Sequence, residues 1–139
     1  MRTTAMNPEA IASPSGNYSH AVRIDTGDGA LLFVSGQVAF DPDGNLVGEG
    51  DMSRQTEQVF ENLRAILEAN GASFEHVVKI TTFMTDIARL AEMAGVRRRY
   101  LPDPPPTSTT VEVTGLFRPE AMIEVEGGGD PCLARLPGT

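Results

Sequence analysis

Hydroxyl side chains follow three consecutive prolines in the stretch DPPPTSTTVEV, which covers residues 103–113. Prolines disfavour a helix and lead into extended chain, and successive side chains of a strand point to opposite faces. Thr107 and Thr109 therefore share one face of a predicted strand, and Ser108 and Thr110 share the other. These hydroxyls can line a pocket, but they carry no charge. Any chemistry at this strand needs an ionisable group from elsewhere.

Two carboxylates share one face of the next predicted strand, MIEVE, at residues 122–126. Alternation places Glu124 and Glu126 on one side and Ile123 and Val125 on the other. A carboxylate in a pocket can take a proton from an attacking water. The same spacing is also common on strands whose carboxylates only face solvent or a subunit boundary, so both interpretations of Glu124 stay open.

Other kinds of catalytic site find little support in the sequence. Cys132 is the single cysteine, which excludes an internal disulfide, and one cysteine with two histidines cannot supply a structural zinc site. No nucleophilic triad or phosphate-binding glycine motif is visible. We therefore expect neither a metal nor a cofactor.

Length and charge narrow the class of protein. The 139 residues fit one domain, and 40% of them are hydrophobic, which is ordinary for a globular chain. The net charge of -8 disfavours nucleic acid and anionic membranes as partners. The N-terminus has no apolar signal-peptide region, and no stretch approaches the length of a membrane span. We expect a cytoplasmic protein without a membrane partner.

The apolar periodicity predicts the element order β-β-α-β-α-β-β. A helix over 51–69 has apolar residues at spacings of three and four, with Asp51 or Ser53 as its cap and Gly71 as a left-handed stop. The other predicted elements are a hairpin over 18–25 and 30–40, a strand over 76–85 that pairs in parallel with an earlier strand, a helix over 87–101 capped by Asp86, and the two final strands.

This order indicates an α+β domain with a single mixed sheet and both helices packed on one of its faces. The other face then meets water or a second subunit. Residues 1–16 are expected to be an irregular lead-in, residues 17–127 the domain, and residues 128–139 a mobile tail rich in glycine and proline.

Motifs along residues 16–127 resemble those of the RidA/YjgF family, small proteins that hydrolyse reactive enamines and imines. The matching motifs are Gly16-x-Tyr18, Val34-Ser35-Gly36-Gln37, Gln58-x-x-x-Asn62-Leu63, Val78-Lys79-x-Thr81-x-Phe83-x-x-Asp86, Pro106-x-x-Thr109-Thr110-Val111-Glu112-Val113 and Ile123-Glu124-Val125-Glu126. The resemblance implies a chorismate mutase-like fold and a homotrimer whose sheets line a central barrel, with ligand clefts between subunits.

The resemblance also implies roles for single residues. The family glutamate that positions or activates the attacking water corresponds to Glu124, and the family arginine that binds the substrate carboxylate corresponds to Ser108. A serine hydroxyl cannot neutralise a carboxylate as a bidentate guanidinium does. The expected site therefore has Glu124 as its catalytic residue, and its substrate-binding residues are Tyr18, Ser35, Gly36, Ser108, Thr109 and Thr110.

Four arginines of this chain are candidate replacements for the missing cation. Arg118 lies beyond the far end of the strand, about 20 Å or more from Ser108 at roughly 3.3 Å per residue, and is disfavoured within one subunit. The run Arg97, Arg98 and Arg99 ends the helix that leads to the prolines and is closer along the chain. Such a run is also typical of the solvated end of a helix.

Three functions therefore remain open from the sequence. The first is a cofactor-free hydrolase that deaminates enamines or imines without the family's carboxylate anchor. The second is a trimer that binds a small metabolite in its inter-subunit clefts without catalysis. The third and weakest is an endoribonuclease, which the charge of -8 disfavours.

Overall fold

One six-stranded mixed sheet organises the chain, and its strand order is β1-β2-β3-β6-β4-β5. The structure, a computed structural model, describes residues 2–133. The strands are β1 Arg2–Met6, β2 Ala21–Asp25, β3 Ala30–Gln37, β4 Val77–Met84, β5 Thr107–Glu112 and β6 Ile123–Gly129, and the α-helices are α1 Met52–Ala69 and α2 Leu90–Arg97. Short 3₁₀ turns at Phe74–His76 and Ile87–Arg89 precede β4 and α2.

Strand pairing confirms the predicted α+β class and corrects one detail. Strands β4 and β5 are parallel, and α2 is the crossover between them, whereas every other neighbouring pair is antiparallel. The prediction that β4 pairs in parallel with an earlier strand is wrong. The last strand, β6, lies between β3 and β4 and pairs antiparallel with both, so the parallel partner of β4 is the strand that follows it.

Both ends of α1 follow from the sequence. The Asp51 side chain accepts a hydrogen bond from the Arg54 N–H at 3.0 Å, and Gly71 has a φ of +67° just beyond the helix. These two observations confirm the predicted cap and the predicted stop. The apolar stripe of α1 is buried and includes Met52, Val59, Phe60, Leu63, Ile66 and Leu67.

The second helix is shorter than the sequence predicts. Asp86 caps a 3₁₀ turn rather than an α-helix, because its side chain accepts from the Ala88 N–H. Regular α-helix then runs only from Leu90 to Arg97, and the chain continues in turns toward the prolines. Only Met93 and Val96 of α2 are buried, so this helix has little apolar surface to extend it.

The hydrophobic core lies between the helices and one face of the sheet. Leu32 and Val34 of β3 point into it, whereas Leu31 and Phe33 alternate with them and are 47% and 57% exposed. This alternation confirms that both helices pack on one face. The opposite face, called the open face below, carries Leu31, Phe33, Thr81, Phe83, Thr109, Val111, Glu124 and Glu126.

The two ends of the chain are more regular than expected. The predicted irregular lead-in contains β1, which pairs antiparallel with β2, because an edge strand gains backbone hydrogen bonds without needing an apolar face. The predicted tail begins inside β6, which continues to Gly129. A Cβ on Gly128 would lie 2.6 Å from the Leu32 carbonyl oxygen, so glycine permits the close approach of β6 to β3. The rest of the predicted tail, residues 134–139, lies outside the described residues.

Within residues 2–133 no helix is both long enough and apolar enough to cross a membrane.

Candidate functional site

A cavity of about 410 Å³ opens beside the bulged end of β3, where the segment 11–20 folds over β3 and β6. It brings together four of the predicted site residues, which come from three separate stretches of the sequence: Tyr18, Ser35, Gly36 and Glu124. The other lining residues are Ile11, Ala12, Ser13, Ser15, His20, Gln37, Val38, Phe40, Asn62 and Phe117.

Glu124 supplies the carboxylate of this cavity. It lies on β6, where its Cα partner on β4 is Phe83, and its side chain is half-buried. Burial, and secondarily the neighbouring charge of Glu126, raises the pKa of the Glu124 carboxyl above its usual range. No side-chain hydrogen bond or ion pair to Glu124 occurs among residues 2–133. The group is therefore available to a ligand or a water.

A break in the strand pairing shapes the floor of the cavity. The register between β3 and β6 shifts between Val34 and Gln37, which places Ser35 and Gly36 in an irregular segment. A Cβ on Gly36 would lie only 2.7 Å from the Cδ and Oε1 atoms of Glu124. Glycine at this position therefore allows the carboxyl group to lie directly over the backbone.

Ser35 is held by the protein rather than left free. Its Oγ donates a hydrogen bond of 2.6 Å to the Ser19 carbonyl oxygen, and its backbone N–H donates to the His20 carbonyl oxygen. These bonds tie β3 to the segment that covers the cavity. The resemblance implied a substrate-binding role for Ser35, whereas this geometry accounts for its position without a ligand.

His20 lines the cavity although it belongs to none of the family motifs. It is 6% exposed, and its Nε2 lies 2.7 Å from the Ala12 carbonyl oxygen. Its Nδ1 lies 3.1 Å from Nε2 of Gln37, which can only donate. The network therefore assigns the neutral tautomer with the proton on Nε2. Both ring nitrogens are occupied, so His20 fixes the covering segment and does not act as a free base.

Asn62 and two phenylalanines complete the wall. The Asn62 amide donates to the carbonyl oxygens of Val38 and Phe40. The ring of Phe40 meets the ring of Phe117 edge-on, with centroids 5.7 Å apart. Neither Phe40 nor Phe117 could be placed at the site from the sequence, because neither lies in a motif and long-range packing decides the turn that brings Phe117 there.

Comparison with known proteins places this geometry in a family. The Endoribonuclease L-PSP family matches residues 8–128. A crystal structure of RidA from an Antarctic Psychrobacter is 31% identical and superposes with a TM-score of 0.80, covering 91% of this chain and 98% of that one. The chain is a member of the RidA/YjgF family.

Two further relatives agree with that membership. Protein DfrA of Myxococcus xanthus is 39% identical over 126 residues, which cover 91% of this chain and 94% of DfrA. The crystal structure of a putative endoribonuclease from Thermotoga maritima is 37% identical, has a TM-score of 0.83, and covers 93% of this chain and 97% of that one. The resemblance drawn from the motifs is therefore confirmed.

Ser108, which the resemblance aligns with the family arginine, lies on β5, away from the cavity of the same chain. Ser108, Thr109 and Thr110 are not among the lining residues, and β4 separates β5 from β6 in the sheet. Ser108 and Thr109 are exposed on this edge strand. One chain thus brings only part of the predicted site together, and the binding role of these three residues stays a prediction.

The four arginines that could replace the family arginine do not line the cavity either. Arg99 pairs with Glu57 of α1 at 3.4 Å, and burial, followed by the charge of Arg98, lowers the pKa of Arg97. Arg118 lies next to the cavity wall, because its guanidinium is 5.4 Å from the centroid of the Phe40 ring. For a role of Arg118 in ligand binding, its distance from the cavity is therefore more relevant than its distance from Ser108.

No group of three or more His, Cys, Asp or Glu side chains within residues 2–133 is arranged to hold a metal ion. Cys132 is exposed and lies outside the cavity.

Proposed function

We propose that this RidA/YjgF protein is a cofactor-free hydrolase that adds water to an imine or enamine and releases ammonia and a carbonyl compound. The observation that carries the proposal is Glu124, a half-buried carboxyl of the cavity that has no side-chain hydrogen bond or ion pair to residues 2–133 and whose pKa is raised by burial. A raised carboxyl pKa improves proton transfer near neutral pH. We further propose that the protein acts in the cytoplasm.

The reaction requires few groups. The oxygen of a bound water attacks the imine carbon as Glu124 takes one of its protons, and the C=N bond becomes a C–N bond. Glu124 returns that proton to the nitrogen and then transfers the hydroxyl proton to it as well, so that ammonia leaves as the C–O bond becomes C=O. Imines are intrinsically labile, so general acid–base help of roughly 10²–10⁴-fold is a sufficient contribution from one carboxyl group.

The substrate range follows from position 108. Where the family arginine binds a carboxylate, this chain has Ser108, and no Lys or Arg lines the described cavity. We therefore expect little or no preference for imines derived from amino acids, since their carboxylate would have no cation to neutralise it.

We also propose that the active form is a homotrimer. The open face exposes Leu31, Phe33 and Val111, and a ring of three chains would cover such faces together. Thr109 lies on this open face, and Ser108 and Thr110 lie on the other side of the same edge strand, so a neighbouring subunit that extends past this edge would contact all three. The complete site would be shared between neighbouring subunits.

A non-catalytic trimer that binds a small metabolite is the second candidate. It is favoured by the absence of a charged anchor at Ser108 and by the use of Ser35 in an internal hydrogen bond. Apolar walls with a few polar groups are typical of metabolite pockets. A protein of this kind would bind its ligand equally well with Glu124 or with Gln at this position.

An endoribonuclease is the weakest candidate, although the matching family and the Thermotoga relative bear that word in their descriptions. The net charge of -8 opposes binding to a phosphate backbone. In addition, the one histidine that lines the cavity has both ring nitrogens in internal contacts.

The test is ammonia release from two kinds of imine generated in situ. Imines with a carboxylate are made from an amino acid by an amino acid oxidase, and imines without one are made by oxidation of an amine. We expect faster ammonia release with the protein than without it, and the loss of this acceleration in E124Q. If neither form shows turnover and both bind the same ligand with equal affinity, the binding trimer is correct instead.

A further inference from the structure

The side-chain donors in the wall of the cavity are already committed to the protein. Both N–H groups of the Asn62 amide go to carbonyl oxygens, and both N–H groups of Gln37 go to His20 Nδ1 and the Ser35 carbonyl oxygen. The His20 Nε2–H donates to the Ala12 carbonyl oxygen. The Ser35 hydroxyl also donates internally. Only the hydroxyls at the rim remain as side-chain donors.

The free polar group of the inner wall is an acceptor. Glu124 has no hydrogen-bonded partner within residues 2–133, and its oxygens face the cavity above Gly36. Its nearest ionisable neighbour on β6 is Glu126, a second negative charge. In this site the hydrogen-bond donors are satisfied and the free group is a carboxylate. Such a site is complementary to a ligand that is positively charged and donates hydrogen bonds.

The aromatic rings of the wall fit the same ligand. Phe117 is 56% exposed and Tyr18 is 46% exposed, so both can contact a ligand. The Arg118 guanidinium already rests on the Phe40 ring, which shows that this wall accepts a cation on an aromatic face. Arg118 itself lies 4.0 Å from Glu120, which offsets its charge, and it does not line the cavity.

We infer that the cavity binds its ligand as a small planar organic cation, with N–H groups directed at Glu124 and an apolar part against Phe117 and Tyr18. For the proposed hydrolase, on which this assignment rests, the substrate class is the protonated iminium ion of an amine without a carboxylate. Protonation on nitrogen also makes the imine carbon more electrophilic, so the form that the cavity selects is the form that water attacks.

Three probes of one shape and different charge test this inference: propionamidinium, propionamide and propionate. Binding of each to the full-length protein is measured at neutral pH by NMR titration of the amide signals of the cavity. We expect propionamidinium to bind at least about tenfold more tightly than either of the others. E124Q should remove this preference, whereas E68Q, which removes the same charge from an exposed position on α1, should retain it.

A second measurement does not depend on a variant. Binding of propionamidinium to the wild-type protein should strengthen as pH rises through the pKa of Glu124, because the carboxylate form is the partner of the cation. Glu126 is the charged neighbour of Glu124 on β6, and Tyr18 and His20 are the other titratable side chains that line the cavity. E124Q should bind the cation more weakly and lose the part of the pH dependence that belongs to Glu124.

Tighter binding of propionate, equal binding of all three probes, or no binding of any probe would overturn the charge assignment. These results are distinct from failure of the proposed hydrolase. Glu124-dependent binding of the cation without any imine hydrolysis would contradict the hydrolase alone, and hydrolysis that favours carboxylated imines would contradict the cation assignment alone.

Discussion

The carboxyl group of Glu124 lies over the backbone of Gly36, so close that a Cβ at Gly36 would be 2.7 Å from Glu124 Cδ. The two residues belong to β6 and β3, and the irregular pairing between these strands creates the contact. The position of the proposed catalytic group is therefore set by the absence of a side chain on a neighbouring strand.

The substitution G36A tests this contact directly. The added methyl group should displace the Glu124 side chain and lower hydrolysis or ligand binding by about tenfold or more, since small misplacements of a catalytic group are costly. Steady-state ammonia release and circular dichroism would separate loss of activity from loss of fold.

The matched control for G36A is G95A, because a Cβ on Gly95 meets nothing within 4 Å. Gly95 lies in α2, where alanine is favoured over glycine by about 0.5–1 kcal/mol. G95A should keep activity and raise the midpoint of urea unfolding. Full activity in G36A would show that Glu124 does not need its observed position.

Replacing Glu124 by Gln should separate activity from stability. Hydrolysis should fall by roughly 10²–10⁴-fold, because the proton acceptor is lost. The folded protein raises the pKa of Glu124, so this group stabilises the fold at low pH, and that contribution is lost as pH rises through the raised pKa. Glutamine resembles the protonated form at every pH.

E124Q should therefore unfold at a higher denaturant concentration than the wild type at neutral pH, and at the same concentration at a pH where Glu124 is protonated in both states. Chemical unfolding at the two pH values measures the difference. A variant that is less stable than the wild type at neutral pH would mean that Glu124 has a stabilising partner in the assembled protein.

Restoring an arginine at position 108 should change the substrate preference. S108R places a guanidinium at the position that the family resemblance assigns to a carboxylate-binding arginine, and we expect kcat/KM for carboxylated imines to rise by at least about tenfold, mainly through KM. The control is A69R, which adds the same charge at an exposed position of α1, outside the cavity and the open face. Equal gains in both variants would indicate a general effect of charge and not a rebuilt site.

Assembly can be tested on the open face. Phe33 is 57% exposed there, and F33D should weaken a trimer by placing a charge in its apolar contact. Light scattering should give about three times 14.9 kDa for the wild type and a smaller mass for F33D. Helical circular dichroism should be retained, because the core lies on the other face of the sheet.

The substitution L90D is a useful control for assembly, since Leu90 is 39% exposed but belongs to α2 rather than to the open face. It should leave the mass unchanged. If F33D reduces the mass and also abolishes ligand binding, the site is shared between subunits. A wild-type monomer that binds ligand with full affinity would contradict both the trimer and the shared site.

Local patterns in the sequence determined the elements and the family. Helix α1, with its cap at Asp51 and its stop at Gly71, could be predicted because hydrogen bonds, caps and the apolar stripe of a helix connect residues only a few positions apart. The motifs that contain Ser35 and Glu124 identified the RidA/YjgF family. The presence of a serine at position 108 could also be read from the sequence alone.

Only the tertiary structure decided which strands are neighbours and what surrounds Glu124. The placement of β6 between β3 and β4, and the pairing of the polar strand β1, depend on contacts between distant segments that no local pattern encodes. That placement sets Glu124 over Gly36, and long-range packing brings in His20 and Phe117. Strand order follows from burial summed over the whole chain, whereas helix periodicity is local, and for this reason the residues of the site could be named from the sequence before their arrangement could be known.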